Sequence, residues 1–210
     1  MVSYASHERA LLADLLVQVG PNHLTLCEGW QTKELLIHLL LRERHPISSA
    51  LRMVIGATGH FEQIRARYEA LPWEAACGLL RSGPPATNLL AWPPFEAAFQ
   101  TVEFYVHHED VRRAEDHWEP RVLEAGFEAD LWRRLKVMGR LLLRKVPLGV
   151  KAETPDGKAS LLRPGTPEVV IRGPASEIVL YVFGRKRQAR VSLEGEEWAK
   201  AILESTSLGI

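Results

Sequence analysis

The sequence predicts a mainly α-helical protein, with a four-helix bundle over residues 1–147 and a small α+β domain over residues 148–210. Two observations predict this class. Apolar residues recur at helical spacing through most of the first part, where one long proline-rich connection separates the helices. Beyond residue 147 the pattern changes to short apolar runs bounded by turn residues, which are typical of strands.

The first two helices are predicted on either side of a glycine-proline turn. Residues 6–19 place leucine and valine at helical spacing, and the Gly-Pro pair at residues 20–21 ends the pattern. A second helix is predicted over residues 33–44, with Thr32 as its N-cap and Glu34 favourably placed in its first turn.

The next stretch is predicted to contain more helix and a long crossing. Residues 47–82 have amphipathic patterns that are interrupted near residues 56–59 and again at Pro72. Residues 81–95 contain four prolines, which predicts a long structureless crossing rather than a tight turn. Such a crossing often lies over a functional site.

Two long helices complete the predicted bundle, one over residues 95–117 and one over residues 128–145. Their apolar stripes consist of Phe99, Val102 and Val106 on the first and Leu131, Leu135, Met138 and Leu142 on the second. The tail is predicted to contain strands within residues 149–154, 159–163, 168–173 and 189–194, and helices within residues 174–183 and 196–205.

Composition excludes several classes of protein. Lysine plus arginine and aspartate plus glutamate both number 26, so the chain lacks the basic excess that nucleic-acid binding usually needs. Two cysteines without a C-x-x-C pair indicate neither a disulfide framework nor a cysteine-based zinc site. Charged residues interrupt the N-terminal leucines, so neither a signal peptide nor a membrane span is expected, and the predicted location is the reducing cytoplasm.

Glu103 raises the first functional question, because it lies in the apolar run TVEFYVHHED. On a helix Glu103 and His107 form an E-x-x-x-H pair on one face, and Asp110 lies one turn further along it. Burying a carboxylate is costly unless a cation or hydrogen-bond donors compensate it. We therefore expect a positive charge near Glu103.

His38 raises the same question on the second helix, since leucine and isoleucine surround it in ELLIHLLL. Imidazoles and a carboxylate are ligands for zinc, nickel or ferrous iron, and helical bundles often assemble such sites from facing helices. Three protein ligands, His38, Glu103 and His107, would leave a coordination position open, as in catalytic zinc sites. Such a site can activate a thiol or a water molecule.

Each of these features also has a plainer interpretation. A single buried histidine is more often a hydrogen-bonded core residue than a ligand, and Glu103 and His107 can simply pair on a wet helix face. His108 points about 100° away from His107 on a helical wheel, which predicts a supporting or surface group, with an exchange of roles between the two histidines as the alternative.

Other side chains in these segments receive expected roles. Arg42 follows His38 by one turn, where it can orient a ligand or bind the substrate or thiol. Glu109 and Arg112 are expected to be solvated charges or, alternatively, to orient ligands. Tyr105 and Trp30 are expected to pack. Cys27 is expected to be a small buried residue rather than a nucleophile.

Two segments resemble the signature segments of the DinB-like metal-binding superfamily, in the branch of the mycothiol-dependent maleylpyruvate isomerases of actinobacteria. These segments are LCEGWQTKELLIHLLLRERHP and VEFYVHHEDVRRAEDHWEPR. Within that branch, the chain resembles a subgroup with the segment VHHEDVRR more than it resembles the isomerases themselves. The tail IRGPASEIVLYVFGRKRQARVSLEG resembles the small C-terminal domain of that branch. The resemblance implies a DinB-like bundle that holds a divalent metal, usually zinc, through His38, Glu103 and His107.

The resemblance also implies an activity. In the isomerases the metal activates the thiol mycothiol, and an arginine of the C-terminal domain contributes; Arg185 is the counterpart here, with Arg187 as its rival. We therefore expect an isomerase or thiol transferase that uses mycothiol as co-substrate and acts on an electrophilic small molecule. The alternatives are a non-enzymatic, metal-held binding or regulatory module and a ferrous oxygenase, although the strand pattern of a jelly roll is lacking.

Overall fold

The structure, a computed structural model, describes residues 3–46, 59–85, 88 and 93–209, and of residues 93–99 it describes the backbone alone. The helix predicted within residues 47–58 and much of the crossing predicted over residues 81–95 lie outside the described residues. Within the described part, eight α-helices are accompanied by a four-stranded sheet near the C-terminus. The predicted fold class, mainly helical with a small α+β part at its end, is confirmed.

The chain divides into two compact units, Met1–Trp118 and Glu119–Ile210. The described helices of the first unit are α1 (Tyr4–Val19), α2 (Thr32–Arg44), α3 (Gly59–Glu69), α4 (Trp73–Ser82) and α5 (Pro93–Arg112). Helix α1 packs against α4 and α5, and α2 packs against α3 and α4. No helix in the described ranges is both long and apolar enough to cross a membrane.

The start of α2 differs from the prediction. Gln31, not Thr32, is the N-cap, and its backbone N–H donates to Oε2 of Glu34 at 3.0 Å. The hydroxyl of Thr32 instead donates to the carbonyl oxygen of Gly20 at 2.5 Å. Thr32 therefore ties the loop between α1 and α2 together, while Glu34 has the favourable first-turn position that was predicted.

The core of the first unit joins the apolar faces of its helices. Its buried side chains include Leu12, Leu16, Leu35, Leu36, Leu39, Leu40, Leu80 and Phe104. Val102 and Val106 of the predicted α5 stripe are buried as well, whereas the Phe99 side chain lies outside the described part. Burial of these side chains supplies the main driving force for bringing α1, α2, α4 and α5 together.

Charged and polar side chains are also buried in this unit, and two pairs of them join its helices. Nη1 of Arg9 on α1 donates to Oε1 of Glu43 on α2 at 3.0 Å. Nδ1 of His108 on α5 donates to Oε2 of Glu8 on α1 at 3.1 Å. Because an unpaired buried charge is strongly unfavourable, these pairs select one arrangement of the three helices.

Helix α5 is shorter at its C-terminal end than predicted, since it ends at Arg112 and not near His117. After this point the chain turns, and the guanidinium of Arg113 lies over the ring of Trp118, 4.4 Å from its centroid. A helix that continued through these residues would not be expected to bring the side chains of Arg113 and Trp118 into this cation–π contact.

The second unit combines three helices with the sheet: α6 (Ala125–Leu142), β1 (Gly149–Glu153), β2 (Ala159–Arg163), β3 (Glu168–Arg172), α7 (Ala175–Val182), β4 (Ser192–Glu194) and α8 (Glu197–Ser205). The strand order is β2-β1-β3-β4, with β1 parallel to β3 and the other neighbours antiparallel. The β1–β2 turn places Gly157 at φ 82°, a conformation that glycine adopts without steric cost.

Helix α6, predicted as the fourth helix of the bundle, belongs to the second unit, where it packs against α7 and β2. Leu131, Leu135 and Leu142 of its predicted stripe are buried, and Met138 is half-buried. The division of the chain into functional domains at residues 147 and 148 stays a prediction.

Candidate metal centre

The three predicted ligands lie together in the first unit. Helix α2 carries His38, and α5 carries Glu103 and His107 one turn apart on one face. Oε1 of Glu103 lies 3.4 Å from Nε2 of His38 and 3.5 Å from Nε2 of His107. The sequence placed these residues on two separate helices, and the fold brings their ligand atoms to one point.

The spacing of these atoms fits a metal better than a hydrogen-bonded cluster. Oε1 of Glu103 is buried and accepts no hydrogen bond from the described residues. Both imidazole nitrogens lie beyond the usual hydrogen-bond range of about 2.7–3.2 Å. Ligand atoms on a tetrahedral zinc, each about 2.0–2.2 Å from the metal, are separated by about 3.3–3.6 Å. A divalent cation would therefore compensate the buried oxygen.

Asp110 orients one of the imidazoles. Nδ1 of His107 donates to Oδ2 of Asp110 at 2.9 Å, and the Asp110 side chain is completely buried. The backbone N–H of Leu26 donates to the Asp110 carbonyl oxygen at 3.0 Å, which anchors the loop before α2 to this part of α5. Since Nδ1 carries the proton, Nε2 of His107 is the nitrogen with a lone pair for a metal.

Cys27 differs from the expectation of a small, inert core residue. The side chain is half-buried, and its Sγ donates to Oδ2 of Asp110 at 3.2 Å and lies 3.9 Å from Nδ1 of His107. Sequence reasoning missed this contact, although Cys27 lies in the same signature segment as His38. The thiol therefore supports the carboxylate that orients His107.

Cys27, His107 and Asp110 also form a second group whose ligand atoms lie close enough for a metal. The separations of 2.9 Å and 3.2 Å from Oδ2 of Asp110 are those of hydrogen bonds. We therefore interpret this second group as the support of the first.

Arg42 lies at the edge of the centre, one turn after His38 on α2. Its Nη2 is 2.9 Å from Oε2 of Glu103, and about half of its side chain, 49%, is exposed. The guanidinium thus donates to one oxygen of Glu103, and its other N–H groups can donate to a bound molecule.

The charges around the centre shift two pKa values. Burial raises the pKa of Glu103, but the neighbouring His107, His38 and Arg42 outweigh burial, so that this pKa lies well below its ordinary value. Burial lowers the pKa of His107, but Asp110, Cys27 and Glu103 outweigh it, so that this pKa lies well above its ordinary value. In the absence of a metal His107 therefore supplies a positive charge beside Glu103.

His38 forms the more open side of the centre. Its side chain is 28% exposed, compared with 12% for His107. The ring of Trp30 lies 5.0 Å from the His38 ring, and the His107 ring lies 5.5 Å away. Trp30 also packs against the core and Tyr105 is buried, so both have the packing role that was expected.

Two neighbouring predictions need correction. Glu109 is completely buried and pairs with Arg112 and Arg113, so it is not a solvated charge. His108 is buried in its pair with Glu8, so it is not a surface group. Both corrections have one cause. Neighbouring residues and α1 cover this part of α5, and helical periodicity alone does not predict which of its side chains they bury.

The two arginines predicted from the tail lie in the second unit. Nη1 of Arg185 donates to the carbonyl oxygen of Phe183 at 2.6 Å. A contribution of Arg185 or its rival Arg187 to activity stays a prediction.

Fold and site together define a mainly helical protein with a candidate divalent-metal centre between two helices of its first unit. No protein-family profile matches the chain, and no curated protein matches its sequence. Among solved structures, the chain is similar to a histidine-to-alanine mutant of the mycothiol-dependent maleylpyruvate isomerase. That match has a TM-score of 0.54 and 18% identity, and it covers 94% of this chain and 98% of the other.

The chain is also similar to the crystal structure of the mycothiol-dependent maleylpyruvate isomerase itself, with a TM-score of 0.48 and 19% identity over 94% of this chain and 98% of that one. At this level of identity the comparison with the mutant establishes a shared fold.

Proposed function

We propose that this protein binds a divalent metal and uses it to activate a low-molecular-weight thiol, as an isomerase or thiol transferase of the mycothiol-dependent maleylpyruvate isomerase branch. The observation that carries the proposal is the buried Oε1 of Glu103, which has two imidazole nitrogens at metal-ligand spacing and no hydrogen-bond donor among the described residues. The shared fold with an enzyme of that name supports the choice of branch.

His38, Glu103 and His107 would hold the metal, and zinc is the proposed ion, because two imidazoles and one carboxylate are a common ligand set of catalytic zinc. Nickel and ferrous iron accept the same ligands. Zinc in such a site supplies the positive charge that lowers the pKa of a thiol and so raises its reactivity at neutral pH.

The surrounding residues have separate tasks. Asp110 keeps the proton of His107 on Nδ1, so that Nε2 faces Glu103. Arg42 presents a half-exposed guanidinium beside Glu103, which suits the carboxylate of an incoming substrate. The Trp30 ring covers one side of His38 and limits access of water there.

The finer parts of the proposal are the co-substrate and the location. We assign mycothiol as the thiol and an electrophilic small molecule as the substrate. A cytoplasmic location fits a reduced thiol partner. Arg185 would contribute from the C-terminal region, with Arg187 as the alternative.

Metal content tests the ligand assignment. We would measure zinc per chain by mass spectrometry in the wild type and in His38→Ala after dialysis against a weak chelator. His60→Ala is the matched control, because His60 is exposed on α3. The wild type and the control should retain about one zinc per chain, as expected for a three-ligand site, and His38→Ala should lose it. Equal retention by all three proteins would remove His38 from the centre.

Thiol turnover tests the activity. Zinc-loaded wild type should bind mycothiol and convert maleylpyruvate or another electrophile in its presence. If the protein binds zinc but neither binds the thiol nor supports turnover, the non-enzymatic module becomes the better interpretation.

A further inference from the structure

The outer surface of α6, in the second unit, is basic. Opposite the buried leucines of this helix, the exposed side chains are Lys136, Val137, Arg140 and Leu141, and we call them the basic face. Arg144 and Lys145 follow the end of the helix and are exposed as well. Residues 131–152 contain no aspartate or glutamate, so this segment supplies no charge of its own to neutralise the basic face.

The basic face also exposes two large apolar side chains. Val137 is 78% exposed and Leu141 is 53% exposed, and they lie one turn apart on α6. A single exposed apolar side chain is ordinary on a protein surface. Two neighbouring ones that are bounded by charges of one sign are typical of a surface that binds a partner.

Helix α8 of the same unit has an outer surface of the opposite charge. Its exposed side chains are Glu197, Trp198, Ala201 and Glu204, and the exposed Glu196 precedes the helix; we call these five residues the acidic face. Trp198 is 56% exposed, although tryptophan is the largest apolar side chain. Lys200 pairs with Glu197 at 2.6 Å, and the face still has more carboxylates than ammonium groups.

The two faces match each other in size and pattern. Helix α8 has nine residues, and the nine residues 133–141 of α6 have the same length, about 13.5 Å. Val137 and Leu141 alternate with basic side chains, and Trp198 and Ala201 lie between Glu197 and Glu204. The indole of an exposed tryptophan can pack against aliphatic side chains and lie over a guanidinium.

Within one copy the two faces leave each other exposed. Helix α6 packs against α7 and β2, whereas α8 packs against β3. Two basic faces would repel each other, and so would two acidic faces, so that charge favours only the unlike pair. The chain has 26 basic and 26 acidic residues, so two copies as a whole do not repel each other. A second copy supplies the complementary face.

We infer that this protein associates with a second copy of itself through the basic face of α6 in one copy and the acidic face of α8 in the other. A two-fold dimer would use this contact twice, whereas a ring or a chain of copies would use it once per copy. The inference concerns the second unit alone and does not depend on the proposed function.

Charge reversal tests the contact in the full chain. The α6 variant combines Lys136→Glu with Arg140→Glu, and the α8 variant combines Glu197→Lys with Glu204→Lys. Sedimentation velocity over a range of micromolar concentrations should show association of the wild type, and each variant should have a dissociation constant at least about tenfold higher. The control reversals Arg67→Glu and Glu62→Lys, at exposed positions of α3, should associate like the wild type.

A mixture of the two variants gives the decisive result. The α8 variant keeps the basic face and the α6 variant keeps the acidic face, so that a mixture should associate although each variant alone stays monomeric. A wild type that remains monomeric up to about 0.1 mM would overturn the inference, since its faces would then serve another partner. Variants that associate like the wild type, or a mixture that does not associate, would overturn it as well.

The wild type alone provides a second measurement in case a variant does not fold. Equal amounts of ¹⁴N-labelled and ¹⁵N-labelled chains would be treated with a carbodiimide, which couples a lysine ammonium group to a carboxylate in contact with it. Mass spectrometry should find mixed-isotope cross-links from Lys136 or Lys145 to Glu196, Glu197 or Glu204, and about 1 M salt should reduce their yield. Mixed-isotope cross-links that join other surfaces only would overturn the inference.

Discussion

Oδ2 of Asp110 lies 2.9 Å from Nδ1 of His107, and the carboxylate is completely shielded from solvent. A buried carboxylate in this position determines which imidazole nitrogen carries a proton. Nε2 of His107 is thereby left facing Glu103, at 3.5 Å. The candidate centre thus depends on a residue that is not one of its three ligands.

Replacement of Asp110 by asparagine should weaken zinc binding by about 10-fold to 100-fold, the range observed for groups that orient metal ligands. The amide keeps the shape of the side chain but lacks the charge that holds the His107 proton on Nδ1. Competition with a chromophoric chelator would give the dissociation constants. Asp116→Asn, at an exposed position after α5, is the control and should match the wild type. Unchanged affinity in Asp110→Asn would show that Asp110 does not orient the ligand.

Replacement of Arg42 by methionine should affect anionic thiols more than neutral ones. Arg42 lies beside Glu103 and is about half exposed, so it can pair with a carboxylate at the cost of little desolvation. We expect 3-mercaptopropionate to bind about tenfold more weakly and 2-mercaptoethanol to bind as in the wild type. Arg67→Met, at an exposed position on α3, is the control for loss of a surface charge. An equal loss of affinity for both thiols would argue against a carboxylate contact.

The stability of the metal-free protein should fall as the pH rises above about 6.5. The pKa of His107 in the folded protein lies above its ordinary value of 6.5, so the protonated ring stabilises the fold below that pH. This contribution is lost as the pH rises through the raised pKa. Melting temperatures in a strong chelator, compared with those of His107→Gln, would measure it. A wild-type curve parallel to that of His107→Gln would contradict the prediction.

Zinc should stabilise the protein more strongly as the pH rises, because zinc and a proton compete for Nε2 of His107. The increase in melting temperature on adding zinc should therefore grow between about pH 6 and about pH 9. His60→Ala should show the same growth, since His60 is exposed on α3. A stabilisation by zinc that is independent of pH would indicate that His107 does not change its protonation on binding.

The two cysteines should differ in reactivity. Burial and, to a smaller degree, Glu74 raise the pKa of Cys77 to about 11, and Cys77 is 1% exposed. Cys27 is half-buried. Alkylation of the folded protein with iodoacetamide at about pH 8 should therefore modify Cys27 first, because the reagent requires an accessible thiolate. Mass spectrometry of peptides would locate the label, Cys27→Ser should stay unlabelled, and early labelling of Cys77 would contradict this prediction.

Replacement of Glu128 by alanine should destabilise the second unit by about 1–3 kcal/mol, the cost of losing a partly buried charge-assisted hydrogen bond. Its carboxylate accepts the backbone N–H of Ser176 at 3.0 Å and the Ser176 hydroxyl at 2.6 Å, at the start of α7. Pro174, the N-cap of α7, offers no side-chain acceptor there. Urea unfolding would measure the change, with Glu197→Ala as control because Glu197 is 90% exposed. Equal stability of the two variants would contradict the assigned cap.

Helices and strands were predictable where one face of each is apolar, since periodicity is a local property of the chain. The strands β1, β2 and β3 lie where the runs before and after Asp156-Gly157 predicted them. The end of α5 and the N-cap of α2 were not predictable in this way. At these two places the structure has the contact of Arg113 with Trp118 and the hydrogen bond from Thr32 to Gly20, which helical periodicity does not describe.

The sequence by itself determined the mainly helical fold class and named His38, Glu103 and His107, because four-residue spacing and an apolar setting make such side chains stand out. Only the tertiary structure decided which atoms meet, that Asp110 and Cys27 support His107, and that Glu109 and His108 are buried. The physical reason is that burial and hydrogen bonding at one residue of α5 depend on neighbours from α1, α2 and the loop between them, and helical periodicity carries no information about those neighbours.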